Sequence, residues 1–423
     1  MLEIQKLASA AVEAALAGKN LNQVLSDTWR QHPGLNSTQR ATIQDLSFGT
    51  LRYRGLLDAI LTRLLQKPVT HSHLRALLIV ALYQLQFTRA KPFAIVDHAV
   101  ATADAIGQLA AKGLTNAVLR NFLRRQDALL AEAMDDEIAQ YNHPHWWIEQ
   151  VRAQYPACWQ AILMIANQPP PMTLRVNLQK GSVEAYLARL RVSSMEASGL
   201  GGAGVLLDHP VPVQRLPGFV EGQVSVQDAS AQMAAALLDL TPGMSVLDAC
   251  SAPGGKSGHI LETANVRLLA LDNDADRLKR VADNMARLAL RAELKVADAT
   301  ETDAWWDGRP FDRILIDAPC TGSGVVRRHP DIKWARRPGD TARFVVQQRR
   351  LLDTLWPTLR LGGKLLYATC SVFREENHDQ LANFLSRHPD AQCLPLVDCN
   401  TMDGQIVPDD AHDGFYYALI TKV

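Results

Sequence analysis

Two kinds of hydrophobic period divide the chain. From residue 1 to about 130 the apolar positions keep helical spacing with few breaks. Leu7, Ala10, Ala11, Ala14 and Ala15 share a helix face before Gly18, and Asn36 with Ser37 offers a start for the helix carrying Ile43, Leu46 and Leu51. Pro68 ends that stretch, and further helices are predicted over Ser72–Phe87, from Pro92, and after Gly113 as far as Leu130. A compact helical bundle is expected. From about 141 to 234 the pattern is mixed: a helix opens at His143–Trp147, Thr173–Leu178 alternates like a strand, and Val183–Leu190 returns to helical spacing. The rest of this stretch is rich in glycine and proline and ends in VSVQDASAQ at 224–232.

Beyond Met233 strand and helix alternate. Apolar runs of the kind found in buried parallel strands occur at Met244–Leu247, Leu268–Leu271, Leu294–Ala297, Arg313–Ile316 and Lys364–Ala368. Helical spacing returns over Thr341–Leu355 and Glu375–Arg387, and the aromatic segment at 413–423 predicts a terminal antiparallel strand. This alternation specifies an α/β fold with a doubly wound sheet, whose ligands lie outside the carboxyl ends of the strands. At 423 residues the chain exceeds one ordinary core. Three domains are expected: a helical bundle at 1–140, a small α/β linking module at 141–234, and the doubly wound domain at 235–423.

Hydrophobic content of 47% with 21% charged residues describes a soluble globular protein, and neither a leader nor an apolar run of membrane length is present, so a cytoplasmic protein without a membrane partner is expected. The six cysteines form no C-x-x-C pair, which argues against disulfides and zinc. His143 and His145 lack further ligands at suitable spacing, so no metal is expected. Net charge is zero, but its distribution is uneven. Residues 1–130 hold 15 Lys or Arg against 8 Asp or Glu, and eight basic residues against two acidic ones lie between Arg327 and Arg350. Such patches suit a polyanion. Arg120, Arg124 and Arg125 are candidate contacts in the bundle, although solvated helix faces and dimerising bundles carry similar charge; Arg327, Arg328 and Lys333 are expected to hold phosphates near a reacting nucleotide.

The stretch Met244–His259 reads as strand, tight loop and helix, with Gly254 and Gly255 where a ligand must come close and a helix amino end pointing at the same spot. It is neither the G-x-G-x-x-G fingerprint nor a P-loop. About twenty residues on, the next strand ends in Asp272, placed for a ribose, and the third strand ends in Asp298. Acids closing successive strands beside a glycine turn fit a ligand with ribose and adenine.

The fourth and fifth strands end in Asp317–Cys320 and Ala368–Ser371. If these strands are neighbours, their ends lie about 5 Å apart sideways and both thiols, Cys320 and Cys370, open on one cleft. Cysteine is common in cores, but two at equivalent strand ends beside a ligand loop point to chemistry. Carbon 5 of cytosine is a poor nucleophile until a thiolate adds to carbon 6; it can then take a methyl group, lose its proton and release the thiol. Nearby cations such as Lys256 and the 327–337 loop are expected to lower the thiol pKa values. An amino-directed methyltransferase would carry an Asp/Asn-Pro-Pro-aromatic turn in place of Asp317-Ala318-Pro319-Cys320.

With VQDASAQ at 226–232, LDACSAPGGK at 247–256, DAPCTGSG at 317–324, RRHPDIKW at 327–334, YATCS at 367–371 and EEN at 375–377, the chain resembles, over essentially its whole length, the bacterial RNA cytosine-5 methyltransferases of the Sun/Fmu (RsmB) type. The resemblance implies a NusB-like helical domain, a linking module and a Rossmann-like class I methyltransferase domain that uses S-adenosylmethionine on small-subunit (16S) ribosomal RNA. It also implies that Cys250, Ser251, Ala252, Pro253, Gly254, Gly255 and Lys256, with Asp272, Asp298 and Asp317, contact the cofactor, that Cys370 is the nucleophile and that Cys320 assists release. Ser251 and the Ser257-Gly258 pair depart slightly from the commoner alanine and threonine. The alternatives are another RNA, such as tRNA, or a catalytically silent RNA-binding assembly factor. A monomer is expected.

Overall fold

In the computed structural model, which describes residues 1–396 and 403–423, helix Ser72–Phe87 is buried nearly all round: every residue from Leu74 to Leu85 except Arg75 is interior. A helix apolar on all faces requires a complete shell. Helices Leu2–Leu16, Ser37–Arg52, Arg54–Leu64, Pro92–Ala105 and Lys112–Ala133 supply it. Asn36 caps its helix with a reciprocal bond to Gln39, and Pro92 stands in the first turn of its own. Gly113 lies inside helix Lys112–Ala133 and does not precede it. Helices His145–Gln154 and Trp159–Ile165 extend this unit to Pro169, beyond the 140/141 boundary expected from the sequence.

The helical unit also takes in a segment from far along the chain, Val326–Pro338. The Lys333 ammonium, fully buried, donates to Arg52 O at 2.9 Å and Asn167 Oδ1 at 2.8 Å. The Trp334 indole donates to Leu51 O at 2.7 Å, and the Arg52 guanidinium returns a bond to Arg327 O at 2.9 Å. Asp331 accepts from Leu21 N at the start of helix Leu21–Gln31, where a carboxylate is favoured. Burial, and after it Arg52, pulls the Lys333 ammonium well below the usual lysine range. The expected phosphate role therefore needs correction. Lys333 is committed to carbonyl and amide oxygens in the interior, Arg327 is only 2% exposed, and Arg328 alone of the three is partly exposed. A count of charges cannot tell a buried lysine from a solvated one.

The second unit, Pro170–Val325 with Gly339–Val423, holds two sheets. Its strands are β1 (Met172–Val176), β2 (Ala197–Gly201), β3 (Gly204–Leu207), β4 (Val224–Val226), β5 (Ser245–Asp248), β6 (Arg267–Asp272), β7 (Glu293–Val296), β8 (Phe311–Asp317), β9 (Leu359–Thr369), β10 (Ala391–Leu394), β11 (Gln405–Ile406) and β12 (Phe415–Lys422). The small sheet has the order β2-β3-β1-β4 and the large one β10-β12-β9-β8-β5-β6-β7, with β11 on β12. Strands β5 to β9 are parallel, and β12 runs antiparallel to β9 as the aromatic terminus predicts. The order reverses between β5 and β8, the switch point at which such sheets bind ligands. Cys399 lies outside the described residues. Among the described residues no helix is long and apolar enough to cross a membrane.

Replacing Lys333 by Ala leaves two buried acceptors bare and a cavity, so Lys333→Ala is expected to destabilise the protein by about 3–5 kcal/mol in urea unfolding. A variant of wild-type stability with a weakened salt dependence of polyanion binding would restore the phosphate role.

Candidate active site

Loop 249–254 leaves β5 and is tied down on both sides. Ala252 N donates to Asp272 Oδ2 at 3.2 Å, which binds the loop to the end of β6, and the Lys256 ammonium lies 2.6 Å from Asp317 Oδ2 at the end of β8. Gly254 has φ +96°, and a Cβ there would stand 3.1 Å from Val281 Cα, so the turn admits only glycine without strain. Gly254 also precedes helix Gly255–Thr263 and places no side-chain cap on its first amides. The Ser251 hydroxyl is buried without a partner. An anionic or polar ligand is suited to such an amino end.

Asp272 is 3% exposed; its other oxygen accepts from Asp274 N at 3.1 Å, and Arg277 approaches at 3.4 Å. Asp298 lies two residues beyond β7. Burial alone would raise its pKa, but the Thr300 hydroxyl and amide hydrogen bonds hold it below the ordinary value. Burial, and then the carboxylates of Asp248, Asp317 and Asp272, pushes the Cys250 thiol well up, so it is held protonated. The fold therefore gathers residues 250–256, Asp272 and Asp317 at adjoining strand ends, with Asp298 beyond the next strand in the sheet.

β8 and β9 are neighbours, pairing Asp317 with Ala368. The loops that follow them bring Cys320 Sγ to 3.4 Å from Cys370 Sγ. What fixes them is Glu376, fully buried. Its carboxylate accepts from Thr321 N at 2.8 Å and Thr321 Oγ1 at 2.5 Å on one loop, from Ser371 Oγ at 2.5 Å on the other, and from Gln348 Nε2 at 3.1 Å. Asn377 adds a bond to Ser371 O at 2.9 Å. The helix expected from Glu375 accordingly begins only at His378, because Glu376 and Asn377 turn inward. Gly324 in the first loop passes so near Gly414 that a Cβ would fall 2.0 Å from Gly414 O.

The expectation of a lowered thiol pKa is reversed for Cys320. The Cys320 pKa is raised well above the ordinary value, by its hydrogen bond with Cys370, then by burial and by the charges of Cys370 and Glu376. Lys256 pairs with Asp317, and the leading causes of the Cys320 shift include no cation.

Two groups escaped notice in the sequence. Arg175 on β1, fully buried, clasps Glu262 with two bonds of 2.9 Å and donates to Gly255 O at 2.8 Å and to the Gln227 amide oxygen. It thereby joins the small sheet and the VQDASAQ segment to the helix behind the ligand loop. The signal was a lone arginine inside a strand buried on both faces. Glu376 was visible only as part of EEN. His143, by contrast, is buried with Nδ1 donating to Tyr141 O at 2.6 Å, and burial drives its pKa well down; among the described residues no set of three or more His, Cys, Asp or Glu could hold a metal ion.

A doubly wound sheet with a glycine loop at its switch point, preceded by an all-helical NusB-like unit, defines a Rossmann-like methyltransferase architecture. Residues 235–421 match the family model for 16S rRNA methyltransferase RsmB/F, residues 143–214 that for the Methyltr_RsmF/B-like, ferredoxin-like domain, and residues 3–124 that for the NusB family. The chain is 44% identical to the ribosomal RNA small subunit methyltransferase B of Pseudomonas syringae pv. tomato over 98% of this chain and 96% of that protein. It is 42% identical to the protein of the same name from Erwinia tasmaniensis over 100% and 99%. The chain belongs to the RsmB/F methyltransferase family. Among solved structures, that of PH0851 shares the fold across 99% of both chains at 24% identity with a TM-score of 0.81. A methyltransferase homologue from Pyrococcus horikoshii matches 69% of this chain and 99% of its own at 27% identity with a TM-score of 0.60.

Beneath the loop, Asp248 is fully buried and accepts from Ser257 Oγ at 2.6 Å. Burial pushes its pKa up to about 7, against the Ser257 bond, and the Asp317 charge adds to the rise. The folded protein thus keeps a proton that the unfolded chain releases near its ordinary value of 3.8. Stability from this group is present below that value and lost as pH rises to about 7. Asp248→Asn, which stays neutral, should gain on the wild type in unfolding free energy from about pH 4 to 7 and then level off. A gap independent of pH would contradict the buried proton.

Proposed function

We propose that this protein uses S-adenosylmethionine to methylate carbon 5 of a cytosine in small-subunit (16S) ribosomal RNA through a covalent bond between Cys370 and carbon 6. The observation that carries this reading is the pair of thiols 3.4 Å apart at the ends of β8 and β9. Methylation of an exocyclic amine needs no sulfur nucleophile, whereas carbon 5 does. The relatives named as small-subunit rRNA methyltransferases align with nearly the whole chain, which supports the substrate class.

Residues 250–256 with Asp272, Asp298 and Asp317 would hold the cofactor. The open helix amino end at Gly254, the unpartnered Ser251 hydroxyl and the Asp272 carboxylate fit a ligand with ribose and polar termini. When bound, S-adenosylmethionine supplies an electrophilic methyl group. The chain's own part begins with addition of the Cys370 sulfur to carbon 6, which moves an electron pair to carbon 5 and makes it nucleophilic. Once carbon 5 carries the methyl group, its proton passes to water, and the electron pair of the broken carbon–hydrogen bond expels the Cys370 sulfur from carbon 6 as a thiolate, which the Cys320 S–H at 3.4 Å can stabilise. Cys320, held protonated by its surroundings, is a poor competitor for carbon 6 and can donate its S–H to a Cys370 thiolate, which suits it to the release step. Arg327 and Lys333 are not part of the proposed RNA contact; Arg328 remains in it. The target cytosine must be unstacked to be reached.

Two variants test the division of labour. Cys370→Ala should lose both methyl transfer and any covalent protein–RNA species. Cys320→Ala should still add and methylate, then stall, so that adduct accumulates on a denaturing gel. Adduct in Cys370→Ala and none in Cys320→Ala would exchange the roles, and retained activity without adduct in both would end the covalent mechanism.

A further inference from the structure

The amino ends of the parallel strands, at the opposite end of the sheet from the two cysteines, carry a second concavity. It is an open cleft of about 590 Å³ between the starts of β5, β6, β7 and β8. Arg267 opens β6, Arg291 precedes β7 and Arg309 precedes β8, so three separate segments each deliver a guanidinium to it. Arg309 leans on Asp307 at 3.6 Å, whereas Arg267 and Arg291 form no ion pair among the described residues. Glu293 and Asp307 also line the cleft, and Asp307 is occupied in its own turn, where it accepts from Arg309 N at 3.0 Å. The partly exposed Trp306 ring packs against the core with Trp305 and Phe311, and its N–H is fixed on Arg309 O at 2.8 Å. The ring is therefore held in place for whatever lies against it.

We infer that this cleft binds a single-stranded stretch of RNA, with backbone phosphates on Arg267 and Arg291 and a base against Trp306. Guanidiniums without carboxylate partners beside an anchored aromatic ring are the combination by which single strands are held without reading sequence. The six-residue β6 spans roughly 20 Å, so a strand bound here is not the reacting nucleotide at the other end of the sheet. The site would hold a flanking part of the substrate. This inference rests on the RNA-substrate reading above.

The test uses the full-length protein and octauridylate, which contains no cytosine, titrated at several salt concentrations beside a 16S rRNA fragment. The Arg267→Ala/Arg291→Ala variant should lose about 1.4 from the slope of log affinity against log salt, two single-strand contacts at about 0.7 each. Trp306→Leu should bind about tenfold more weakly at an unchanged slope. Uridine monophosphate and inorganic phosphate should bind at least about a hundredfold more weakly than the octamer, since each offers only part of the contact. Thermal melts check folding, and if the Ala pair does not fold, the Arg267→Gln/Arg291→Gln pair should show the same loss of slope. A wild-type slope in a folded variant, or unchanged affinity in Trp306→Leu, overturns the inference. Phosphate binding as tight as the octamer overturns it too, and makes the cleft a small-anion site. If the wild type binds neither RNA, the substrate reading itself fails; if it binds both and the variants match it, the cleft alone is wrong.

Discussion

The end of the sheet that carries the two thiols depends on one buried carboxylate. β8 and β9 end side by side, but parallel strands fix only the backbone; the loops after them are free to diverge. Glu376 prevents this by accepting from both loops at once and from Gln348 on a neighbouring helix. Burial favours its neutral form and raises its pKa, and the hydroxyl, amide and side-chain donors oppose that rise. Hydrogen bonds to a charged group are worth about 1.5–3 kcal/mol each, and stranding one partner costs more. The separation of the two sulfurs is thus set by a network whose members have no cheap alternative arrangement. That is the kind of support a reacting pair requires, because geometry held by rigid elements is more exact than geometry left to loops.

A second constraint acts on the ligand loop from behind. The Arg175 guanidinium has bonds to Glu262, Gly255 and Gln227 and no access to water. A buried pair with its remaining donors satisfied orients more than it stabilises. Here it fixes the helix that carries Gly255 and Lys256 relative to the small sheet. The linking module therefore has a role beyond connection: its central strand sets the position of the loop on which the switch point closes.

Much of this was readable in the sequence. Five parallel strands followed from apolar runs bounded by turns, the antiparallel terminus from its aromatic residues, and the meeting of Cys320 and Cys370 from their equivalent strand ends. What was missed or misread shares a physical cause. Lys333, Arg175 and Glu376 are charged residues satisfied inside the protein, and in a sequence a buried charge looks the same as a solvated one until its partners are known. The partners lie far away: Lys333 meets Arg52 and Asn167, and Arg175 meets Glu262. The same blindness made Arg327 and Lys333 look like surface groups, when they lie inside the helical unit. It also inverted the expected pKa of Cys320, which is raised first by the hydrogen bond with Cys370 and by burial, and only after them by the Glu376 carboxylate.

The central claim is that the paired thiols serve chemistry at carbon 5 of cytosine. It is tested most directly with 16S rRNA carrying tritium at carbon 5 of its cytosines and S-adenosylmethionine carrying a carbon-14 methyl group. Methyl transfer at carbon 5 must expel the hydrogen there, so one tritium should enter water for each methyl group that enters RNA. Methyl incorporation with the tritium retained would contradict the account, because it would put the methyl group on another atom and leave the two cysteines without a reaction.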